Sequence, residues 1–242
     1  MKFGLLSMKF EEGNTEYNRN TIISCLRQYA GSGIDLLCFG EAFLQGFDAL
    51  TFRYEDDINT AISTDSSILR SIQQGAKEYN LGVTFGYYEN DKDLLYSSQA
   101  VIANTGELVC NFKRVSVGWK EPFADNHYYK EGPGFDVFQY MGKRISVGLC
   151  GDLWDDENVE KIRETGPEIV LWPVYLDYPI QKWASEKHDY ALRAKEICRH
   201  VLLVNSLCDG EDRAKGGATY FRDGFIAEEL PGGKEGILIV EI

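Results

Sequence analysis

The chain has 242 residues, of which 44% are hydrophobic and 13% aromatic, and it carries a formal net charge of -13. The apolar content is ample for a core, and the length fits one large α/β domain, which we expect to span residues 1–242. The negative charge argues against a nucleic-acid surface, which needs a stripe of Lys and Arg, and against binding to anionic membranes.

Strand-like apolar runs alternate with stretches of helical periodicity along the whole chain. In the first half, the pattern predicts a strand at 2–8, a helix at 14–30, a strand at 35–40, a helix at 64–79 and strands at 81–88, 99–104 and 107–113. In the second half, it predicts strands at 135–140 and 144–150, a helix at 156–164, a strand at 168–172, a helix at 181–199 and strands at 200–205, 217–222, 224–228 and 236–242. Hairpins mixed with strand–helix units indicate mixed sheets covered by helices, an α/β fold class.

The start of the chain and the spacing of its cysteines and histidines indicate the cellular compartment and the absence of a metal site. The apolar start of the chain is interrupted too soon, by Lys9 and Glu11, for a secretory signal peptide, and we expect a cytoplasmic protein. Six cysteines and three histidines are scattered without the spacing of metal ligands. The sequence therefore predicts reduced thiols, no metal site and no cofactor.

Cys150 is the residue with the most distinctive surroundings. It closes an apolar run that begins at Arg144, and Gly151 and Asp152 follow at once. This pattern predicts a thiol at a tight turn between a strand and a helix, where backbone N–H groups can stabilise a thiolate and an oxyanion. A lone cysteine at the end of a buried strand is more often a small core residue, so the turn alone does not assign a nucleophile.

Charged residues beside two other apolar strands strengthen the catalytic interpretation. Glu41 directly follows the buried run that ends at Gly40, and Lys113 and Glu121 flank the segment after another strand. The order Glu41, Lys113, Glu121, Cys150 resembles the carbon–nitrogen hydrolase (nitrilase) superfamily, which uses Glu, Lys, Glu and Cys in that order. The resemblance extends over nearly the whole chain and implies a four-layer α-β-β-α sandwich with two mixed sheets.

The resemblance also implies a role for each of these residues. Cys150 would be the nucleophile that forms a thioester, and Glu41 the general base. Lys113 would stabilise the oxyanion together with the backbone N–H of Gly151, and Glu121 would position the substrate or the lysine. One departure from the family pattern follows the lysine, where His-Leu is common and this chain has Val115 and Ser116.

Further residues are candidates for the wall of a small substrate pocket. They are aromatic residues near strand ends, which are also common in cores: Trp119, Trp172 and Tyr175. Asp152 is interpreted as a structural residue that accepts hydrogen bonds from the backbone of the turn.

The implied activity is hydrolysis of a small linear amide with release of ammonia. A nitrilase or an N-carbamoyl amidohydrolase with the same site is an alternative, although Cys-Gly-Asp resembles the amidase branches more than the Cys-Trp-Glu of nitrilases. A non-catalytic binding or regulatory protein on the same fold is the alternative from another class. The expected partners are a small-molecule amide and a second copy of the chain, in a homodimer held by helical faces.

Overall fold

Twelve strands and five α-helices make up the computed structural model, which describes residues 1–242. The strands are β1 (Lys2–Ser7), β2 (Leu36–Cys38), β3 (Gly82–Asp91), β4 (Leu94–Ile102), β5 (Leu108–Lys113), β6 (Phe138–Tyr140), β7 (Lys143–Val147), β8 (Ile169–Val174), β9 (His200–Asn205), β10 (Ala218–Arg222), β11 (Phe225–Leu230) and β12 (Gly236–Glu241). The helices are α1 (Thr15–Tyr29), α2 (Tyr54–Asp57), α3 (Ser67–Glu78), α4 (Asp156–Glu164) and α5 (Ile180–Ile197), and a 3-10 turn covers Cys150–Trp154.

The strands form two six-stranded mixed sheets. The first has the order β12-β1-β2-β3-β4-β5 and the second the order β11-β10-β9-β8-β7-β6. In each sheet two parallel pairings join three consecutive strands, β1-β2-β3 in the first and β7-β8-β9 in the second, and antiparallel pairings complete both sides. The two sheets therefore share one order of parallel and antiparallel pairings, although the sequence carries no sustained internal repeat.

Two large hydrophobic clusters hold the layers together. The larger one joins side chains of both sheets, such as Phe3 and Val147, with residues of α4 and α5 such as Ile162 and Ala194. The second lies on the other face of the first sheet, where α1 and α3 contribute Ile22 and Ile72. Apolar residues at helical spacing bury one face of α1, α3, α4 and α5, and this burial is the main stabilising contribution. The predicted α-β-β-α sandwich is thereby confirmed.

The hairpin from β3 to β4 is longer than the sequence indicates. Its strands extend through residues 89–98, which the strand prediction omitted because Asn90, Asp91, Lys92 and Asp93 interrupt the apolar pattern. Lys92 and Asp93 have positive φ angles of 54° and 67°, as a tight two-residue hairpin requires. The short helix α2 was likewise not predicted, because four residues are too few to show periodicity.

None of the helices combines the length and the apolar character that a membrane crossing requires. Arg114 and Tyr175 directly follow the carboxyl ends of β5 and β8, and Glu41 and Cys150 lie in the short segments after β2 and β7. Loops at strand ends are the usual location of functional residues on a rigid sheet scaffold, and three of these four meet directly in this structure.

Candidate active site

Cys150 lies at a sharp turn after β7, as the sequence predicts. Its φ angle is +42°, a left-handed conformation that costs a non-glycine residue about 1–3 kcal/mol. The backbone reverses immediately into the 3-10 turn that leads to α4. The thiol is directed at the carbonyl oxygen of Tyr175, at 4.0 Å, and the Cys150 carbonyl accepts a hydrogen bond of 2.9 Å from the indole of Trp172. Both contacts come from β8 and the residue that follows it, and they hold Cys150 in one orientation.

Glu41 is fully buried, with 0% of its surface exposed. Its backbone carbonyl accepts a hydrogen bond of 3.1 Å from the Ser206 hydroxyl, and the next residue, Ala42, has a φ angle of +50°. One carboxylate oxygen, Oε1, is paired with a cation, whereas Oε2 has no hydrogen-bond partner. A buried oxygen without a partner is costly, and it is typical of a group that accepts a bond from substrate or nucleophile.

The cation beside Glu41 is Arg114, not Lys113. The Arg114 Nη1 atom donates to Glu41 Oε1 at 2.6 Å, and only 3% of Arg114 is exposed. The Lys113 Nζ atom instead pairs with Asp91 at 2.5 Å and lies 3.8 Å from Glu89. The structure therefore places Arg114, and not Lys113, where the sequence leads us to expect the cation that stabilises the oxyanion.

The pleat of β5 explains this correction. Successive side chains point to opposite faces of a strand. Phe112 points into the core between the two sheets, so Arg114 shares its face and Lys113 takes the other. The family resemblance pointed to a lysine, and therefore to Lys113. The alternation of side chains along β5 instead directs Arg114 toward Glu41. Arg114 lies two residues after the apolar Phe112 and so shares its face of the strand, and this spacing could have identified Arg114 from the sequence.

Asp152 ties the nucleophile turn to the segment that carries Arg114. Its Oδ1 atom accepts hydrogen bonds from the backbone N–H groups of Val115 (3.1 Å) and Ser116 (2.7 Å), and its Oδ2 atom accepts one from Leu149 (3.0 Å). The Ser116 hydroxyl in turn accepts a bond of 2.9 Å from Arg114 Nε. The structural role expected for Asp152 is present, and it extends across to the neighbouring sheet.

The electrostatics of the cluster favour a protonated thiol and a permanent cation. Burial, followed by the negative charge of Glu41, raises the pKa of Cys150 to about 12, although Arg114 opposes this rise. Burial alone would lower the pKa of Arg114, but Glu41, Cys150 and Asp152 raise it above its usual value. Burial also raises the pKa of Asp152 to about 6, against the opposing effect of Arg114 and the backbone donors. The thiol therefore needs a base when it reacts, and Glu41 is the adjacent carboxylate.

A gap between two glycines accommodates the guanidinium of Arg114. A Cβ atom built on Gly151 would lie 2.9 Å from Arg114 Nη2, and one built on Gly118 would lie 3.2 Å from the same atom. Nη2 makes no hydrogen bond to the protein, while Nε and Nη1 are both engaged. The arginine thus keeps one free donor group beside the backbone of the nucleophile turn.

The aromatic candidates occupy three different positions. Trp172 is buried behind Cys150 and supports its carbonyl, so it is not a pocket wall. Tyr175 stacks on Phe47 with ring centroids 4.1 Å apart. Trp119 is buried in a separate cluster with Tyr88, where it lines a cavity at the loops that follow β2 and β5.

Glu121 does not join the Glu41–Arg114–Cys150 cluster. Its side chain is exposed and forms no ion pair with any Lys, Arg or His. Its place in the order Glu41, Lys113, Glu121, Cys150 made it a candidate in the sequence, but the loop after β5 carries it to the rim of the cavity lined by Trp119. No group of three or more His, Cys, Asp or Glu side chains gathers anywhere in the chain as metal ligands would.

Comparisons with known proteins give a matching family model, curated relatives and solved structures. The model of the carbon-nitrogen hydrolase family matches residues 6–242. A glutamine-dependent NAD(+) synthetase of Acinetobacter baylyi is 21% identical over 97% of this chain, which spans only 42% of that relative. A citrullinase of Francisella tularensis is 23% identical over 94% of this chain and 81% of its own length. An amidase structure from Nesterenkonia sp. AN1 superposes with a TM-score of 0.80 at 17% identity, and the match covers 100% of this chain and 92% of that one.

Proposed function

Since this chain belongs to the carbon-nitrogen hydrolase family, we propose that it hydrolyses a small linear amide through a thioester on Cys150 and releases ammonia. The observation that carries the proposal is the convergence of three groups. A cysteine at a strained turn, a buried glutamate with one free oxygen and a paired arginine with one free donor meet at the ends of β7, β2 and β5.

The first half of the reaction transfers the acyl group to sulfur. Glu41 Oε2 takes the proton of the Cys150 thiol as sulfur forms a bond to the amide carbon. The carbonyl electron pair moves to oxygen, where Arg114 Nη2 and the Gly151 N–H stabilise the oxyanion. Glu41 then returns its proton to the amide nitrogen, the carbon–nitrogen bond breaks, ammonia leaves and the thioester remains.

The second half uses the same groups on a water molecule. Glu41 removes a proton from water as the water oxygen attacks the thioester carbon. The carbon–sulfur bond then breaks, and the Cys150 sulfur leaves with the proton that Glu41 holds. Arg114 stabilises the second oxyanion as a fixed charge, because a guanidinium does not give up a proton in a protein. The products are a carboxylic acid and the free thiol.

Mass spectrometry with a slow amide tests this proposal together with an ammonia assay. We expect the wild-type chain to gain the mass of the acyl group and to release ammonia, and Cys150→Ala to do neither. Cys110→Ala is the matched control, because this thiol lies on β5 outside the cluster and its loss should leave the adduct in place. Ammonia release that survives in Cys150→Ala would rule out the thioester route.

The same assay separates the other candidates. Nitriles and N-carbamoyl acids, offered beside amides, distinguish a nitrilase or a carbamoylase from an amidase. A mutant of the Nesterenkonia sp. AN1 amidase adds acrylamide at its active-site cysteine, so acrylamide is a suitable probe for this chain too. Failure of Cys150 to react with any of these compounds would favour a non-catalytic binding protein.

A further inference from the structure

Glu121 is a charged side chain that the proposed chemistry leaves without a role. It is exposed, it makes no ion pair, and it lies on the loop that follows β5. It lines a cavity of about 470 Å³. A lone carboxylate at the rim of a cavity raises the question of which group it faces when the cavity is filled.

The walls of this cavity are mostly aromatic. The apolar lining residues come from the loops after β2 and β5, and they are Phe47, Leu50, Phe52, Trp119 and Phe123. Phe123 is 70% exposed and therefore stands at the opening, whereas Trp119 is 3% exposed and forms the depth. Aromatic faces carry partial negative charge and attract cations as well as apolar groups.

The cavity adjoins the reacting groups. Gly118, in its lining, lies against Arg114 Nη2, the free donor of the cluster. Phe47, on another wall, stacks on Tyr175, whose carbonyl oxygen faces the Cys150 sulfur at 4.0 Å. A substrate whose amide reaches Cys150 therefore has this cavity as the neighbouring space for the rest of its chain.

The cavity wall is held in a fixed shape. Phe52 has a φ angle of +58°, a strained conformation for an aromatic residue. The buried carboxylate of Asp57 accepts hydrogen bonds from the backbone N–H of Thr51 (2.8 Å) and of Phe52 (2.7 Å). It also accepts a bond of 2.7 Å from the Tyr129 hydroxyl, which ties the loop after β2 to the loop after β5. Strain that is compensated in this way is typical of a binding surface.

The other charges around the cavity are neutralised by partners. Lys120 pairs with Glu131 at 2.6 Å and donates to the Tyr129 carbonyl at 2.9 Å. Asp48 pairs with Arg213. Glu121 is thus the uncompensated charge of the cavity, and the net charge of -13 also favours the approach of cations.

We propose that this cavity binds a cationic group, and that Glu121 and the aromatic walls select amides that carry an ammonium at the end distant from the scissile bond. The inference rests on the proposed function and names its substrate class. Glu121 is thereby a specificity-determining residue, outside the reacting cluster. A carboxylate at the distal end of the substrate would be repelled by Glu121. The cavity wall has no unpaired Lys or Arg to compensate that charge.

The test measures binding without turnover. In the Cys150→Ala background, titration calorimetry compares ω-amino alkanamides of increasing length with alkanamides in which a methyl replaces the ammonium. We expect at least one amino amide to bind about tenfold more tightly than its methyl counterpart, a preference that declines at high salt. Glu121→Gln in the same background should reduce this preference to about twofold or less.

Glu107→Gln is the matched control, because Glu107 is exposed on the turn between β4 and β5 and contacts no group of the cavity. It should keep the full preference. Equal affinity for amino and methyl ligands, a preference that survives Glu121→Gln, or no binding of any amino amide would each overturn the proposal. Circular dichroism checks the fold, and Cys150→Ser replaces Cys150→Ala if the alanine variant does not fold.

The two proposals fail in different ways. Absence of ammonia release by the wild-type chain from every amide refutes the hydrolytic function, whereas the binding preference is measured in a variant that has no nucleophile. Wild-type turnover of neutral amides with no preference for a distal ammonium refutes only the substrate class.

Discussion

At the scale of single residues, the most consequential feature is an arginine beside the buried glutamate. Arg114→Ala should lower kcat by about 100-fold or more, because it removes a donor to the oxyanion and leaves Glu41 buried without its partner. Arg114→Lys should recover part of this loss, since the ammonium keeps the charge but lacks the separate Nε and Nη1 donors that bond Ser116 and Glu41. Steady-state ammonia release measures both variants.

Lys113→Ala is the matched control for this prediction. Its ammonium is held by Asp91 on the other face of β5, so we expect turnover close to that of the wild-type chain. Loss of activity in Lys113→Ala together with activity in Arg114→Ala would contradict the assignment of Arg114.

Asp152 offers a second prediction at this scale. Asp152→Asn retains the shape of the side chain but leaves one acceptor oxygen for three backbone N–H donors. The NH2 group of the asparagine must then face a backbone N–H, so that two donors oppose each other. A buried donor left unsatisfied costs about 1–3 kcal/mol. Urea unfolding should show this loss, and kcat should fall with it because Arg114 and Cys150 are no longer held in register. Unchanged stability and kcat would mean that the clamp is dispensable.

At the scale of elements, the site depends on how closely β3 approaches the segment after β2. A Cβ atom on Gly86 would lie 2.8 Å from the Cα atom of Glu41 and would also overlap the backbone of Ala42. Gly86→Ala should therefore destabilise the fold by about 1–3 kcal/mol and reduce turnover further by displacing Glu41.

Gly75→Ala in α3 is the control for this substitution. Its added methyl group would make an ordinary contact of 3.5 Å with Leu26, so the exchange should be neutral or stabilising by about 0.5–1 kcal/mol. Thermal unfolding and the ammonia assay measure both variants, and equal behaviour of the two would show that the close approach does not constrain Glu41.

At the scale of the whole molecule, the buried thiols predict sensitivity to alkaline pH. Burial raises the pKa of Cys25 to about 11 and that of Cys110 to about 12. A thiol in the unfolded chain has a pKa of about 8.5. Below that pH both states are protonated and the full stability is present. As pH rises toward 11 or 12 the unfolded thiols ionise while the folded ones stay protonated, so the free energy of unfolding falls. The Tm should therefore fall by several degrees from pH 8 to pH 10 in the presence of a reductant.

The Tm of Cys25→Ser should fall less over the same interval, because the serine hydroxyl does not ionise there and occupies the same buried position in α1. Calorimetry under identical buffers gives the comparison. A wild-type Tm that does not change between the two pH values would show that the thiols are not the groups that titrate.

Assembly is the second prediction at this scale. In α5, Ala191 and Ala194 pack into the core of the chain itself, while Leu192 is 63% exposed and the neighbouring Trp154 is 40% exposed. We predict a homodimer that covers these two apolar side chains, because such exposed groups favour association. Light scattering at micromolar concentration should give about twice the 27.4 kDa mass of one chain, and Leu192→Glu should shift it toward the monomer. A wild-type mass near 27.4 kDa would refute the dimer.

The sequence by itself determined that mixed sheets are covered by helices, the turn at Cys150, and most strand and helix positions, apart from residues 89–98 of the β3–β4 hairpin and the short helix α2. These features depend on local patterns, such as the apolar run before Cys150 and the glycine after it, which physical chemistry interprets without distant contacts. It also placed Glu41 correctly at the end of β2, because a charge that follows a buried strand is unusual. The four-layer arrangement followed from the resemblance to a known family.

Only the tertiary structure decided which cation meets Glu41 and where Glu121 lies. Lys113 and Arg114 are adjacent, and a shift of one residue in a strand exchanges the buried face for the opposite one. The choice between them depends on Phe112 packing between two sheets that meet through contacts far apart in the chain. Glu121 lies on a loop without periodicity, whose course depends on the buried Asp57 and Tyr129 from two separate segments. Local sequence patterns cannot encode such a course, since the free energy that fixes it comes from groups that only folding brings together.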